Sequence, residues 1–216
     1  MYEIDVSGEY KSVKITPPAI PDGILQRERL FSLLDKKRDK PIIWISAPGG
    51  SGKTTLLSSY LNSRGIHCLW YQVDEGDGDI GSFFYYMGMA VAKVASTKRK
   101  PMTLLSPEYS LGILTFTRRY FEDLYNRITN PCVIVLDNYQ EAPEGSAFHD
   151  VISTGLSIAP EGQTVIVLSR VDPPPSFAKL KADRKIVSLG WQDTRFNLEE
   201  TKEIVLSSHE GCSAKD

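Results

Sequence analysis

The stretch Ala47-Pro48-Gly49-Gly50-Ser51-Gly52-Lys53-Thr54-Thr55 limits the possible folds more than any other part of the chain. The apolar run Pro41-Ile42-Ile43-Trp44-Ile45-Ser46 precedes it, and Leu56-Leu57-Ser58-Ser59-Tyr60-Leu61 follows. A buried strand, a glycine-rich turn and the opening turns of a helix, in that order, predict a phosphate-binding loop. Glycines let the backbone curl so that successive N–H groups converge on one concavity, and the helix behind adds the positive end of its dipole. Lys53 then reaches the β- and γ-phosphates of a nucleoside triphosphate, and the Thr54 hydroxyl is placed to ligate Mg²⁺. All nine residues are therefore candidate nucleotide contacts. Ala47 stands where the usual motif has Gly, and a small residue suffices at that strand end.

A second stretch completes the chemistry. Cys132-Val133-Ile134-Val135-Leu136-Asp137 is five apolar residues ending in Asp, the pattern of a buried parallel strand that delivers a carboxylate at its C-terminal edge. Downstream of a phosphate-binding loop, that pattern predicts Asp137 as the Walker B acid of a Mg²⁺ shell shared with Thr54. Asn138 follows, where many hydrolysing relatives carry a second acid. An amide can orient a water but is a poor base, so slow hydrolysis is expected. Glu141, three residues on, is either a substitute base or a surface charge. The next apolar run, Thr164-Val165-Ile166-Val167-Leu168, ends in Ser169-Arg170. If its strand lies between the Asp137 strand and the loop strand, Arg170 points at the terminal phosphate and distinguishes ATP from ADP. The plainer reading is a solvent arginine or a pair with Asp172. Arg27 and Glu28 open an amphipathic stretch just before the loop strand, where they are either adenine-side contacts or solvent charges.

The rest of the chain fits one α/β domain. Residues 1–20 read as an extended, proline-rich arm, 21–196 as the ATPase core, and 197–216 as the opening of a following helical module. Asp74 to Asp79 is an acidic turn whose spacing does not match a calcium loop, and it is expected to cap the helix after it. Leu114, Phe121, Leu124 and Ile128 are expected to form the inner face of a helix over 111–128. The net charge of −2 gives no global attraction to nucleic acid or anionic lipid. Cys68, Cys132 and Cys212 have no metal-ligand spacing and read as reduced thiols, Cys68 and Cys132 in buried strands. No run approaches the roughly 18 apolar residues of a membrane span, so no membrane partner and a cytoplasmic location are expected.

Arg27-Glu28-Arg29-Leu30, the Ala47–Thr55 loop, Trp70 with Asp74-Glu75-Gly76-Asp77, and Leu136-Asp137-Asn138-Tyr139 occur in that order. Ser169-Arg170-Val171-Asp172-Pro173-Pro174, Trp191 and Arg195-Phe196-Asn197-Leu198-Glu199-Glu200-Thr201 follow them. This ordered set resembles the nucleotide-binding core of STAND-class signalling ATPases, in the group of maltotriose-dependent, LuxR-type bacterial transcription activators. The resemblance implies a three-layer α/β/α sandwich with a five-stranded, mainly parallel sheet in the order 5-1-4-3-2. It implies ATP/ADP and Mg²⁺ as ligands, Lys53, Asp137 and Arg170 as the catalytic set, and Arg27 near the adenine. It further implies a switch, closed with ADP and self-associating with ATP, whose inducer and DNA are engaged through domains outside this sequence. The competing expectation is an AAA+-like motor or other hydrolytic P-loop enzyme, which would turn over steadily without an effector.

Overall fold

The computed structural model describes residues 2–4, 10–21, 23–95, 100–109, 112–128 and 131–212. Strands β1 (Tyr2–Ile4) and β2 (Tyr10–Ser12) pair antiparallel, with Tyr2 opposite Ser12. A 3-10 turn at Val13–Ile15 then lays Ile15 into the core, 3% exposed. The described part of the arm is thus a small ribbon fastened to the domain rather than an extended lead-in. Lys14 is the fastening, donating to the fully buried Asp77, which also accepts from the Tyr71 hydroxyl.

Five strands form the main sheet: β3 (Ile42–Ser46), β4 (His67–Gln72), β5 (Cys132–Asp137), β6 (Val165–Ser169) and β7 (Ile186–Leu189). All pair in parallel, in the spatial order β4-β5-β6-β3-β7. Numbered within the sheet, this is the expected 5-1-4-3-2 read from the opposite edge. The consequence that matters is that β6 lies between β5 and β3, so three strand ends open onto one crevice.

Both faces are covered, which is why the strands read as continuous apolar runs. Side chains alternate along each strand. One set, with Trp44, Tyr71, Leu136 and Val167, packs under α3 (Ile80–Val94), α4 (Ile113–Arg127) and α5 (Ala147–Ser157). The other, with Ile43, Ile45, Val135 and Leu168, packs under α1 (Glu28–Lys37) and α2 (Lys53–Ser63). Short helices α6 (Ala178–Ala182) and α7 (Trp191–Thr194) flank β7, and α8 (Leu198–Cys212) ends the described chain.

Asp79 caps α3, accepting from the N–H groups of Gly81 and Ser82, as the acidic turn predicts. One expectation fails in α4: Leu114 is 44% exposed. Phe116, Tyr120, Phe121 and Leu124 set the inner face, and Leu114 sits about 200° of helical rotation before Phe116, which turns it outward. Gly155 lets α5 approach α4 closely, since a Cβ there would come within 2.5 Å of the Phe121 ring. Cys132 is buried and Cys68 only half-buried; both are free thiols, and burial pushes Cys68 up to about 11. The side chain of Cys212 lies outside the described residues. Among the described residues, no helix is long and apolar enough to cross a membrane.

Candidate functional site

At the end of β3 the chain curls through 47–52 into α2. Gly50 and Gly52 have φ of 73° and 79°, left-handed backbone that side chains resist by roughly 1–2 kcal/mol per residue. Ala47 is buried and its N–H donates to the Ser169 carbonyl at 3.2 Å, tying the loop to the tip of β6. Lys53 is the first residue of α2. Its ammonium folds over the loop, donating to the carbonyls of Ala47 at 2.7 Å and Pro48 at 3.0 Å. Burial and the neighbouring Arg170 push its pKa down, while Asp137 acts in the opposite direction.

Asp137 ends β5 and is 3% exposed. The Thr54 hydroxyl donates to its two carboxylate oxygens, at 3.1 and 3.2 Å. The Asn138 N–H donates to the same carboxylate at 2.8 Å. Burial pushes this carboxyl up, and the bonds from Thr54 and Asn138, with the charge of Lys53, pull against it. A hydroxyl and a carboxylate brought together are hard oxygen donors of the kind Mg²⁺ takes alongside nucleotide phosphates. These two residues fit the ion.

Arg170 follows the last residue of β6 and reaches over the loop: a Cβ on Gly49 would sit 3.4 Å from its Nε. Its charged partner is Glu141, at 3.6 Å. Asp172 instead accepts from the Ser46 hydroxyl. Asn138 has φ of 56°. Asn is among the few non-glycine residues, with Asp, that enter this region readily.

Arg27 and Glu28 part company. Glu28 pairs with Arg64, the residue that closes α2. Arg27 is 7% exposed and borders a cavity of about 380 Å³ beside Gly50–Gly52, walled also by Ile24, Phe31, Thr55 and Phe196. Its guanidinium is largely committed elsewhere: Nη2 donates to Glu200 Oε2 and to the Arg195 carbonyl, both at 2.9 Å, and the Phe196 ring lies 4.1 Å away. Burial pushes the Glu200 carboxyl up, but bonds from Arg27, the Asn197 N–H and Arg29 outweigh it and hold it at about 2. Sequence reasoning missed Phe196 as part of this wall and Glu200 as the partner that holds Arg27 against it. The one local signal was Asn197-x-x-Glu200, a helix-capping pattern, and its two reciprocal bonds are present.

A family model described as "Nephrocystin 3, N-terminal" matches residues 22–170. The chain is 26% identical over 191 residues to the HTH-type transcriptional regulator MalT of Vibrio parahaemolyticus, covering 87% of this chain and 21% of that protein. It therefore spans about a fifth of the length of that curated relative. Among solved structures, the Walker-type ATPase PABY2304 of Pyrococcus abyssi superposes with TM-score 0.53 and 15% identity, over 92% of this chain and 61% of that one. The Orc1 protein of Aeropyrum pernix, solved in complex with DNA, gives TM-score 0.50 and 17% identity, over 93% of this chain and 55% of that one. These two likenesses are evidence of fold. The chain belongs to the Nephrocystin 3 N-terminal family, and its core has the three-layer P-loop NTPase fold.

Proposed function

We propose that this domain is an ATP-dependent regulatory switch with slow turnover, serving a larger signal-responsive transcription regulator. The observation that carries this is the convergence of three sequence-distant groups on one loop: Lys53 over the loop carbonyls, Thr54 on Asp137, and Arg170 above Gly49. Triphosphate oxygens satisfy Lys53 and the loop N–H groups. Mg²⁺, held by Thr54 and Asp137, neutralises phosphate charge when bound. Arg170 engages the terminal phosphate, a contact ADP cannot provide, and only such a difference in contacts biases one conformation over another. The cavity bordered by Ile24, Thr55 and Phe196 takes the base, with Arg27 bracing its wall. Asn138 supports slow turnover. Inducer, DNA and ATP-dependent self-association belong to this reading through the whole regulator, of which MalT is the relative.

Calorimetry with Mg²⁺-ADP and a non-hydrolysable ATP analogue tests it. Lys53→Ala abolishes triphosphate binding, and Arg170→Ala keeps ADP affinity but erases the preference for ATP. An unchanged preference in the Arg170 variant refutes the switch mechanism. Steady turnover at several per second without an effector favours the motor reading instead.

A further inference from the structure

The main chain at the tip of β6 is pinned from several sides. The Arg170 N–H donates to Gln140 Oε1 at 3.0 Å, and the Val171 N–H donates to Ser169 Oγ at 3.2 Å. The Trp44 indole N–H donates to the Val171 carbonyl at 2.9 Å, beneath which Trp44 packs on Tyr139 and Phe177. Ser46 adds its bond to Asp172. The Arg170 side chain is placed differently. It is 57% exposed and meets the Glu141 carboxylate, itself 39% exposed, at 3.6 Å. Gln140 joins the two: its carbonyl oxygen accepts from the Arg170 N–H, and its amide nitrogen donates to Glu141 Oε1 at 2.9 Å. One side-chain amide therefore fixes the arginine's backbone and the glutamate's carboxylate in the same frame. The guanidinium is the part left to move.

We propose that Glu141 is a stand-in for the terminal phosphate: it engages Arg170 in the diphosphate state, yields it to a triphosphate, and so sets how strongly the site prefers ATP. The inference rests on reading Arg170 as the phosphate contact. A carboxylate and a phosphate are alternative anionic acceptors for one guanidinium, and the more highly charged phosphate wins when both are in reach. Breaking the internal pair subtracts from what the phosphate contact contributes. Because the pair is exposed and long, the subtraction is small, which keeps the switch reversible. Gln140 is the positioning residue that holds the alternative acceptor within reach.

The test compares the 216-residue chain with Glu141→Gln, Arg170→Ala and the double variant. It uses calorimetry with Mg²⁺-ADP and a non-hydrolysable Mg²⁺-ATP analogue, and steady-state turnover with ATP. Glu141→Gln should tighten the analogue about two- to fivefold, the range for an exposed ion pair, and leave ADP affinity unchanged. In the Arg170→Ala background the same change should be silent. An ATP-to-ADP preference that collapses in Arg170→Ala but stays at the wild-type value in Glu141→Gln overturns the role of Glu141 alone. A preference unmoved by Arg170→Ala overturns the phosphate reading beneath it. Loss of turnover in Glu141→Gln with the preference intact makes Glu141 a base and also overturns the proposal.

Discussion

Replacing Glu200 by Gln should loosen α8 from the domain, and the size of the effect follows from the two arginines that hold it. Arg27 and Glu200 are 7% and 9% exposed at 2.9 Å, and Arg29 joins the same oxygen at 3.2 Å. The fall of the carboxyl from 4.5 to about 2 corresponds by linkage to about 3 kcal/mol at neutral pH. Arg29 is 40% exposed, so water screens that side of the cluster and about 1–2 kcal/mol is the working figure. The folded value lies below the unfolded one. The contribution is therefore complete above about pH 4.5 and is lost as pH falls toward 2. Hydrogen exchange across 198–206 at neutral pH should quicken about 5- to 30-fold in the variant. Urea unfolding should show a wild-type advantage that shrinks to about half or less at pH 3. Equal exchange rates in the two proteins, or an advantage that is the same at pH 7 and pH 3, would refute the assignment of the docking energy to this ion pair.

Three further outcomes are accessible to standard assays. Gly155→Ala places a Cβ within 2.5 Å of the Phe121 ring; overpacking of about 1–3 kcal/mol outweighs a helix-propensity gain of about 1 kcal/mol, so the melting temperature should drop by several degrees, and a rise would refute the close α4–α5 approach. Asn138→Gly should leave stability nearly unchanged while Asn138→Val costs roughly 1–2 kcal/mol or more in urea unfolding, because of the left-handed backbone there; equal stability of the two variants contradicts that conformation. Phe196→Ala should weaken ADP and the ATP analogue by the same factor, about 3- to 30-fold for a lost aromatic wall, and a selective loss of the triphosphate would show that the ring is not at the base.

The main sheet was legible because its three central strands carry an unambiguous signal. Ile42–Ser46, Cys132–Asp137 and Val165–Ser169 are buried on both faces, and only a sheet covered on both sides needs runs without alternation. Glycines at positive φ and a Lys-Thr helix start mark the loop directly, so Lys53, Thr54 and Asp137 emerge where spacing places them. Leu114 was misplaced because the apolar period of α4 has two plausible phases, and the aromatic phase of Phe116 and Tyr120 prevails through area: a buried ring removes more apolar surface from water than a leucine. What no local pattern can show is pairing across the chain. Arg27 and the Arg195 carbonyl are separated by 168 positions, and nothing near either residue announces the other. An arginine at a helix start reads equally as an adenine-side contact or a solvent charge until the partner that buries it is known. The same holds for Arg170 and Gln140, 30 positions apart. Loop and strand signals locate Lys53, Thr54 and Asp137, whereas Gln140 and Glu200, which tie neighbouring arginines to other elements, act through long-range contacts that no local pattern announces.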